Sequence, residues 1–206
     1  MKDSETFWDK SAPRYAKSRI RNQEAYQKKL AITQEYLQPN WSVMEFGCGT
    51  GSTALIHAPY VQHIVATDIS GNMLAIAQQK ARDAGIENIS FQQGTLNNLE
   101  LSAASFDAIL GLNILHLLED VDDALLKVHQ LLKPGGIFVS STALLDELNF
   151  IVRLLIPLMQ RLGLAPYVKH LGKQELFTKL SNAGFSIDRQ WQPGKDSVFV
   201  VAKKSL

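Results

Sequence analysis

Chemistry enters this chain at Glu45-Phe46-Gly47-Cys48-Gly49-Thr50-Gly51, where one acidic residue precedes three glycines on alternate positions. Glycine turns through positive φ at no steric cost and, lacking a side chain, lets a ligand approach the backbone. The nearest pattern, G-x-G-x-x-G after a strand, seats a pyrophosphate on a helix N-terminus. Here the third glycine comes one residue early, and Glu45 stands two positions before the first. A carboxylate there repels an anion but suits a ligand carrying an ammonium or a sulfonium. A second acid, Asp68, follows the run Val61 to Thr67, roughly 20 residues on, where a carboxylate accepts hydrogen bonds from ribose hydroxyls. Its two oxygens match two hydroxyls. The alternative role for Asp68 is to cap the helix near Gly71, but Ser70 already fills that place.

These residues need strand ends and tight turns to hold them, and the chain supplies both. The run to Phe46 reads as a first strand, and Ser52-Thr53-Ala54-Leu55 opens a helix. Met73, Ile76, Ala77, Lys80, Ala81 and Ala84 fall at helical spacing, and Gly85 stops them. Ile89 to Gln92 and Phe106 to Leu110 read as the third and fourth strands. Val121, Ala124, Leu125, Val128 and Leu132 mark a second crossover helix, which Lys133-Pro134-Gly135-Gly136 ends before a fifth strand over Ile137 to Ser140. Phe185 to Trp191 and Ser197 to Ala202 form a hairpin. This alternation predicts an α/β fold with a parallel sheet and right-handed crossovers. Asp107, inside a strand pattern, reads as structural.

Four motifs in register, spanning about residues 40 to 142, resemble the class I S-adenosylmethionine-dependent methyltransferases, especially the small-molecule branch of ubiquinone and menaquinone biosynthesis. They are Glu45 to Gly51; Thr67-Asp68-Ile69-Ser70 with Asn72-Met73-Leu74; Ser105-Phe106-Asp107-Ala108-Ile109 leading to His116; and Leu131-Leu132-Lys133-Pro134-Gly135-Gly136. The resemblance implies a Rossmann-like doubly wound seven-stranded sheet in the order 3-2-1-4-5-7-6, its last strand antiparallel. It implies S-adenosyl-L-methionine as cofactor, with S-adenosyl-L-homocysteine as product. The residues it points to are Tyr15, Glu45, Gly47, Cys48, Gly49, Gly51, Asp68, Ile69, Met73, Thr95, Leu96 and Asn113. In the family an acidic residue usually stands where this chain has Thr95, so the usual carboxylate acceptor for the adenine amine is missing; the Thr95 hydroxyl can still bond the base, and backbone groups at Leu96 are the alternative.

Around that core lie two less typical segments. Residues 4 to 38 read as helices interrupted at Pro13, an N-terminal cap over residues 1–40 that in the family folds over the cofactor. Tyr15 either touches cofactor there or packs the helix onto the sheet. Lys10, Arg14, Lys17, Arg19, Arg21, Lys28 and Lys29 make this cap basic, a pattern that reads as a solvated face. The insertion over 143–182 carries thirteen apolar residues between Leu144 and Leu164, with Pro157 expected to kink it. Such a stretch is a lid over a greasy substrate, a homodimer contact through 143–172, a peripheral membrane contact, or packing against the N-terminal helices.

At 206 residues the chain suits one domain, 1–206, and its net charge of +1 gives no invitation to nucleic acid. Cys48 is the single cysteine, which forbids an intramolecular disulfide and a cysteine-built metal site. No signal-like or membrane-spanning run is apparent, so a cytoplasmic protein is expected.

His116 is the candidate general base, since its unperturbed pKa lies near neutrality and it follows the fourth strand; the alternative is a packing residue between Leu115 and Leu117. The leading functional reading is methyl transfer to a small, lipophilic or aromatic acceptor. The rivals are a protein or RNA methyltransferase, and a non-catalytic cofactor-binding protein on the same fold.

Overall fold

The computed structural model describes residues 2–147, 150–161 and 163–205; Leu148 and Leu162 of the apolar insertion lie outside them. At the centre is β1 (Ser42–Phe46), a run of five whose last four residues are buried. It pairs in parallel with β2 (His63–Asp68) on one side and β4 (Phe106–Leu112) on the other. β3 (Ile89–Gln93) extends the sheet beyond β2, and β5 (Leu132–Ala143) extends it beyond β4. β7 (Ser197–Lys204) runs antiparallel to β5, and β6 (Phe185–Gly194) closes the far edge as its hairpin partner. The order is β3-β2-β1-β4-β5-β7-β6, as the resemblance implies.

Both faces of this sheet are covered, which is why its strands read as apolar runs. Met44, Phe46, Ile109, Phe138, Val198 and Val200 share one core with α5 (Val121–Leu131) and α7 (Lys173–Asn182). Their strand neighbours Val43, Ile64, Ala66, Leu110, Val139 and Phe199 share the other. That second core includes Ile32 of α2 (Gln23–Gln34), Ala54 of α3 (Ser52–His57) and Leu74 of α4 (Gly71–Asp83).

Beyond shifts of a few residues at strand ends, three features depart from the sequence reading. β5 begins at Leu132 rather than Ile137: Leu132 pairs with Phe106, and the register slips before Ala108 resumes opposite Ile137. Lys133 closes that irregularity by donating to both oxygens of Asp107 at 2.8 Å, while the same carboxylate accepts from the Ser42 amide at 2.8 Å. Asp107 is therefore a strand clamp.

Second, α1 (Lys2–Lys17) continues through Pro13. Proline has no N–H for the carbonyl four residues earlier, and that carbonyl, on Asp9, accepts instead from Asn72 Nδ2 at 3.2 Å. A tertiary bond substitutes for the missing helical one.

Third, the described apolar side chains on the insertion's helix are largely exposed rather than packed away. In α6 (Phe150–Arg161), which also runs through a proline, Leu154 is 68% exposed and Leu158 54%. The segment after α6 is better anchored, with Leu171 buried and the Lys169 amide donating to the His116 carbonyl at 2.7 Å. Among the described residues no helix is long and apolar enough to cross a membrane.

Candidate functional site

The loop after β1 turns three times through left-handed φ, at Gly47 (65°), Gly49 (54°) and Gly51 (72°). The glycines serve different ends. A Cβ on Gly47 would lie 2.6 Å from the Ile114 side chain, and one on Gly51 2.7 Å from Ala77 Cβ, so both are required by the protein's own packing. At Gly49 the nearest atom to such a Cβ is on the Tyr15 ring at 3.7 Å, an ordinary contact, so there it is the left-handed φ rather than packing that calls for glycine. Lys80 ties the loop down, donating to the Thr50 carbonyl, the Thr50 hydroxyl and the Ser52 hydroxyl at 3.0 to 3.2 Å.

The two predicted carboxylates come to adjacent strand ends, since Glu45 lies one pair before Phe46↔Thr67 and Asp68 follows Thr67. Asp68 accepts from the Gly49 amide (2.8 Å) and the Ser70 amide (2.9 Å), one on each oxygen. A carboxylate offers about four lone-pair sites, so capacity for two hydroxyls remains. Burial raises its pKa, against the pull of its backbone bonds. Glu45 is only 3% exposed, and its Oε2 has no hydrogen-bond partner among the described residues. Burial, with Asp68 beside it, pushes its pKa up to about 8.

Beside these groups lies a cavity of about 320 Å³. Of the predicted residues, Tyr15, Gly47, Gly49, Asp68, Ile69, Met73, Thr95, Leu96 and Asn113 line it. Glu45, Cys48, Gly51 and His116 do not. Glu45 sits behind the loop; Cys48 turns into the second core, its thiol pKa raised by burial; Gly51 faces Ala77. His116 falls in the 3-10 turn Leu115–Leu117, where Ile114 and Leu117 form the cavity wall instead. Burial drives its pKa down to about 4, and its Nδ1 lacks a partner among the described residues.

Several wall residues escaped the sequence reading. Ser4 and Trp8 arrive from α1, held in place because Asp9 accepts from the Ser70 hydroxyl (2.6 Å) and the Asn72 amide (3.1 Å). Asp120 and Asp123 look in sequence like ordinary acids at a helix start, and Asp120 does cap α5 through the Asp123 amide. Yet both line the cavity, and Asn97, on the loop after β3, donates to Asp123 at 2.6 Å. Tyr167 reaches in from the segment after α6. Asp68, Glu119, Asp120 and Asp123 all line this space, and no lysine or arginine of the described residues does.

Comparison with known proteins agrees with this geometry. Residues 43–136 match the model of a methyltransferase domain. The chain is 33% identical over 136 residues, 66% of its own length, to the uncharacterized methyltransferase YcgJ of Bacillus subtilis (strain 168), whose length is 53% covered. Residues 43–136 are thus similar to a methyltransferase domain, on the fold that S-adenosylmethionine-dependent methyltransferases have. Over 106 residues, 50% of this chain, it is 31% identical to the ubiquinone/menaquinone biosynthesis C-methyltransferase UbiE of Brucella anthropi, of which 40% is covered. It thus spans about half or less of these curated relatives. The crystal structure of an S-adenosylmethionine-dependent methyltransferase from Mesorhizobium loti superposes with a TM-score of 0.73 at 22% identity, covering 89% of this chain and 99% of that one.

S-adenosylmethionine, the cofactor of this family, carries an ammonium, a sulfonium and one carboxylate, a net positive charge. The residues present fit it. The cavity falls within the roughly 300 to 1,000 Å³ usual for ligand sites, its walls hold acids without bases, and the buried Glu45 oxygen awaits a donor. A dinucleotide's pyrophosphate would meet only repulsion here.

Proposed function

We propose that this chain catalyses transfer of the cofactor's methyl group to a small-molecule acceptor with an aromatic or apolar body. The observation that carries the reading is the pairing of Asp68, which lines the cavity with spare acceptor capacity, and an unpartnered Glu45 buried at the neighbouring strand end. When bound, S-adenosylmethionine supplies a methyl group already activated on sulfur.

The protein's share is therefore placement, since orientation alone is worth roughly 7–11 kcal/mol in favourable cases. On this reading Asp68 takes the ribose hydroxyls, and Glu45, a protonated carboxyl behind the loop, gives up its proton as the cofactor's ammonium arrives and then faces it as a carboxylate. Asn113, held at φ 58° with its amide on the Ser141 carbonyl at 2.6 Å, is aimed at the same end. Thr95 commits its amide and hydroxyl to Asn98 Oδ1. The acceptor for the adenine amine then falls to Asp123, steadied by Asn97. His116 has no part, because a buried imidazole outside the cavity with a pKa of about 4 is a poor base.

A small acceptor is supported by the near-neutral charge of the chain and by the apolar wall of Ile114, Leu117 and Leu118. The similarity to a quinone-pathway C-methyltransferase points the same way. Melting with S-adenosylhomocysteine tests the cofactor site: ligand at 100 times its dissociation constant stabilises by about 2.7 kcal/mol, and Asp68→Ala should remove most of the rise. Labelled S-adenosylmethionine offered separately with small-molecule, RNA and protein pools tests the acceptor. Label entering only RNA or protein refutes the small-molecule reading.

A further inference from the structure

A second cavity, about 550 Å³, shares Leu112 and Asn113 with the first. Its walls come from α2, from Thr53 and His57 on α3, from Ser141 on β5, and from the turn of the β6–β7 hairpin. The charged side chains lining it are Arg21, Lys29 and Asp196. Of the seven basic residues clustered near the N-terminus, six are exposed and Lys29 alone is half-buried. The solvated-face reading of that cluster therefore fails at Lys29.

The position of Lys29 is specific. Its Nζ donates to the Ser141 hydroxyl at 2.7 Å, and that hydroxyl donates to Asn113 Oδ1 at 3.2 Å. A hydrogen-bonded chain thus runs from the second cavity to the residue it shares with the first. Among the described residues no carboxylate forms an ion pair with Lys29, although Asp196 is near enough to influence it. Burial lowers its pKa below the ordinary lysine value. One hydroxyl is poor compensation for a partly desolvated ammonium with three donors. A residue kept only to fill this volume would have no reason to carry charge.

The other groups leave that charge unanswered. His57 is fully buried, neither ring nitrogen has a partner among the described residues, and burial pushes its pKa down to about 4, so it is neutral at pH 7. Tyr26, beside Thr53 Oγ1 at 3.4 Å, has its pKa raised by burial and stays a protonated donor. Two cations against one carboxylate leave a surplus of one positive charge, opposite in sign to the first cavity.

We propose that this second cavity is the acceptor site and that the acceptor carries an anionic group, of carboxylate type, held by Lys29 with Arg21. This rests on the methyl-transfer reading above and deepens it: the cationic ligand and the anionic one are sorted by two cavities of opposite charge that meet at Asn113. The acceptor is then a small aromatic or apolar acid, and a neutral compound of the same shape is disfavoured.

The test uses the full chain saturated with S-adenosylhomocysteine and titrated calorimetrically with 4-hydroxybenzoate or 4-hydroxybenzamide, which have nearly the same shape. The acid should bind about tenfold tighter or more, the range for a hydrogen bond to a charged group. Lys29→Met should erase that preference and Lys29→Arg retain part of it, with the S-adenosylhomocysteine melting rise intact in both. Equal affinity for the two probes, heat from neither, or a preference that survives Lys29→Met overturns the proposal. Loss of the melting rise in the unmutated chain instead brings down the methyl-transfer reading, so the two failures are told apart.

Discussion

Glu45 gives the site a signature in pH. The unfolded chain releases its proton near 4.5 and the folded chain near 8. Between those values the native state holds a proton that the unfolded state has lost, so stability falls as pH rises, by about 1.4 kcal/mol per unit. His57 and His116 work the other way, since their folded pKa values near 4 lie below the ordinary 6.5, and their stabilisation grows with pH up to 6.5. Above 6.5 they are neutral in both states, which leaves pH 6.5 to 8 as the window for Glu45. Melting temperature should decline across that window, and Glu45→Gln should flatten the decline; an unchanged slope refutes the buried, protonated carboxyl. Both acids were legible in sequence because a strand end is a local feature. Their depth was not: that Glu45 lies behind the loop while Asp68 lines the cavity depends on neighbours distant in the chain. His116 misled for the same reason, since its spacing after the fourth strand is local and the direction of its ring is not.

At the scale of elements, the helices that cover the sheet were readable from periodicity, whereas their attachments were not. Pro13 looks like a break when the chain is read locally, and becomes tolerable only because Asn72 answers the carbonyl it abandons. The Asp9 carboxylate adds two bonds to the start of α4. Asp9→Ala should therefore loosen α1 while leaving Asp68 and the glycine loop in place. Hydrogen bonds to a charged group are worth about 1.5–3 kcal/mol, so S-adenosylhomocysteine affinity should drop about tenfold or more, read by titration calorimetry. Full affinity in that variant would mean that α1 merely rests beside the cavity. Lys29 shows the same limit of sequence reading: in the chain it is one base among seven, and only the fold sets it against Ser141.

Across the whole molecule, stability resides in the two cores on either face of the sheet, and α6 stands apart from both. Leu154→Glu with Leu158→Glu should shift unfolding free energy by about 0.5 kcal/mol per site or less, whereas Phe138→Ala, buried between the rings of Phe46 and Phe185, should cost about 3–5 kcal/mol. Denaturant titration of both variants makes the comparison, and a large loss from the α6 pair would show that this helix packs in solution. The parallel sheet was readable because strand and helix patterns alternate, whereas its seven-stranded order came with the family resemblance; the exposure of α6 was not readable, since an apolar run does not announce whether anything covers it. The latch at Asp9 has one more consequence. Trp8 rides on the same 16-residue helix and forms part of the cavity wall, so whatever shifts that helix shifts an indole against the cavity. Indole fluorescence should therefore change as S-adenosylhomocysteine enters the cavity, and Asp9→Ala should alter that change.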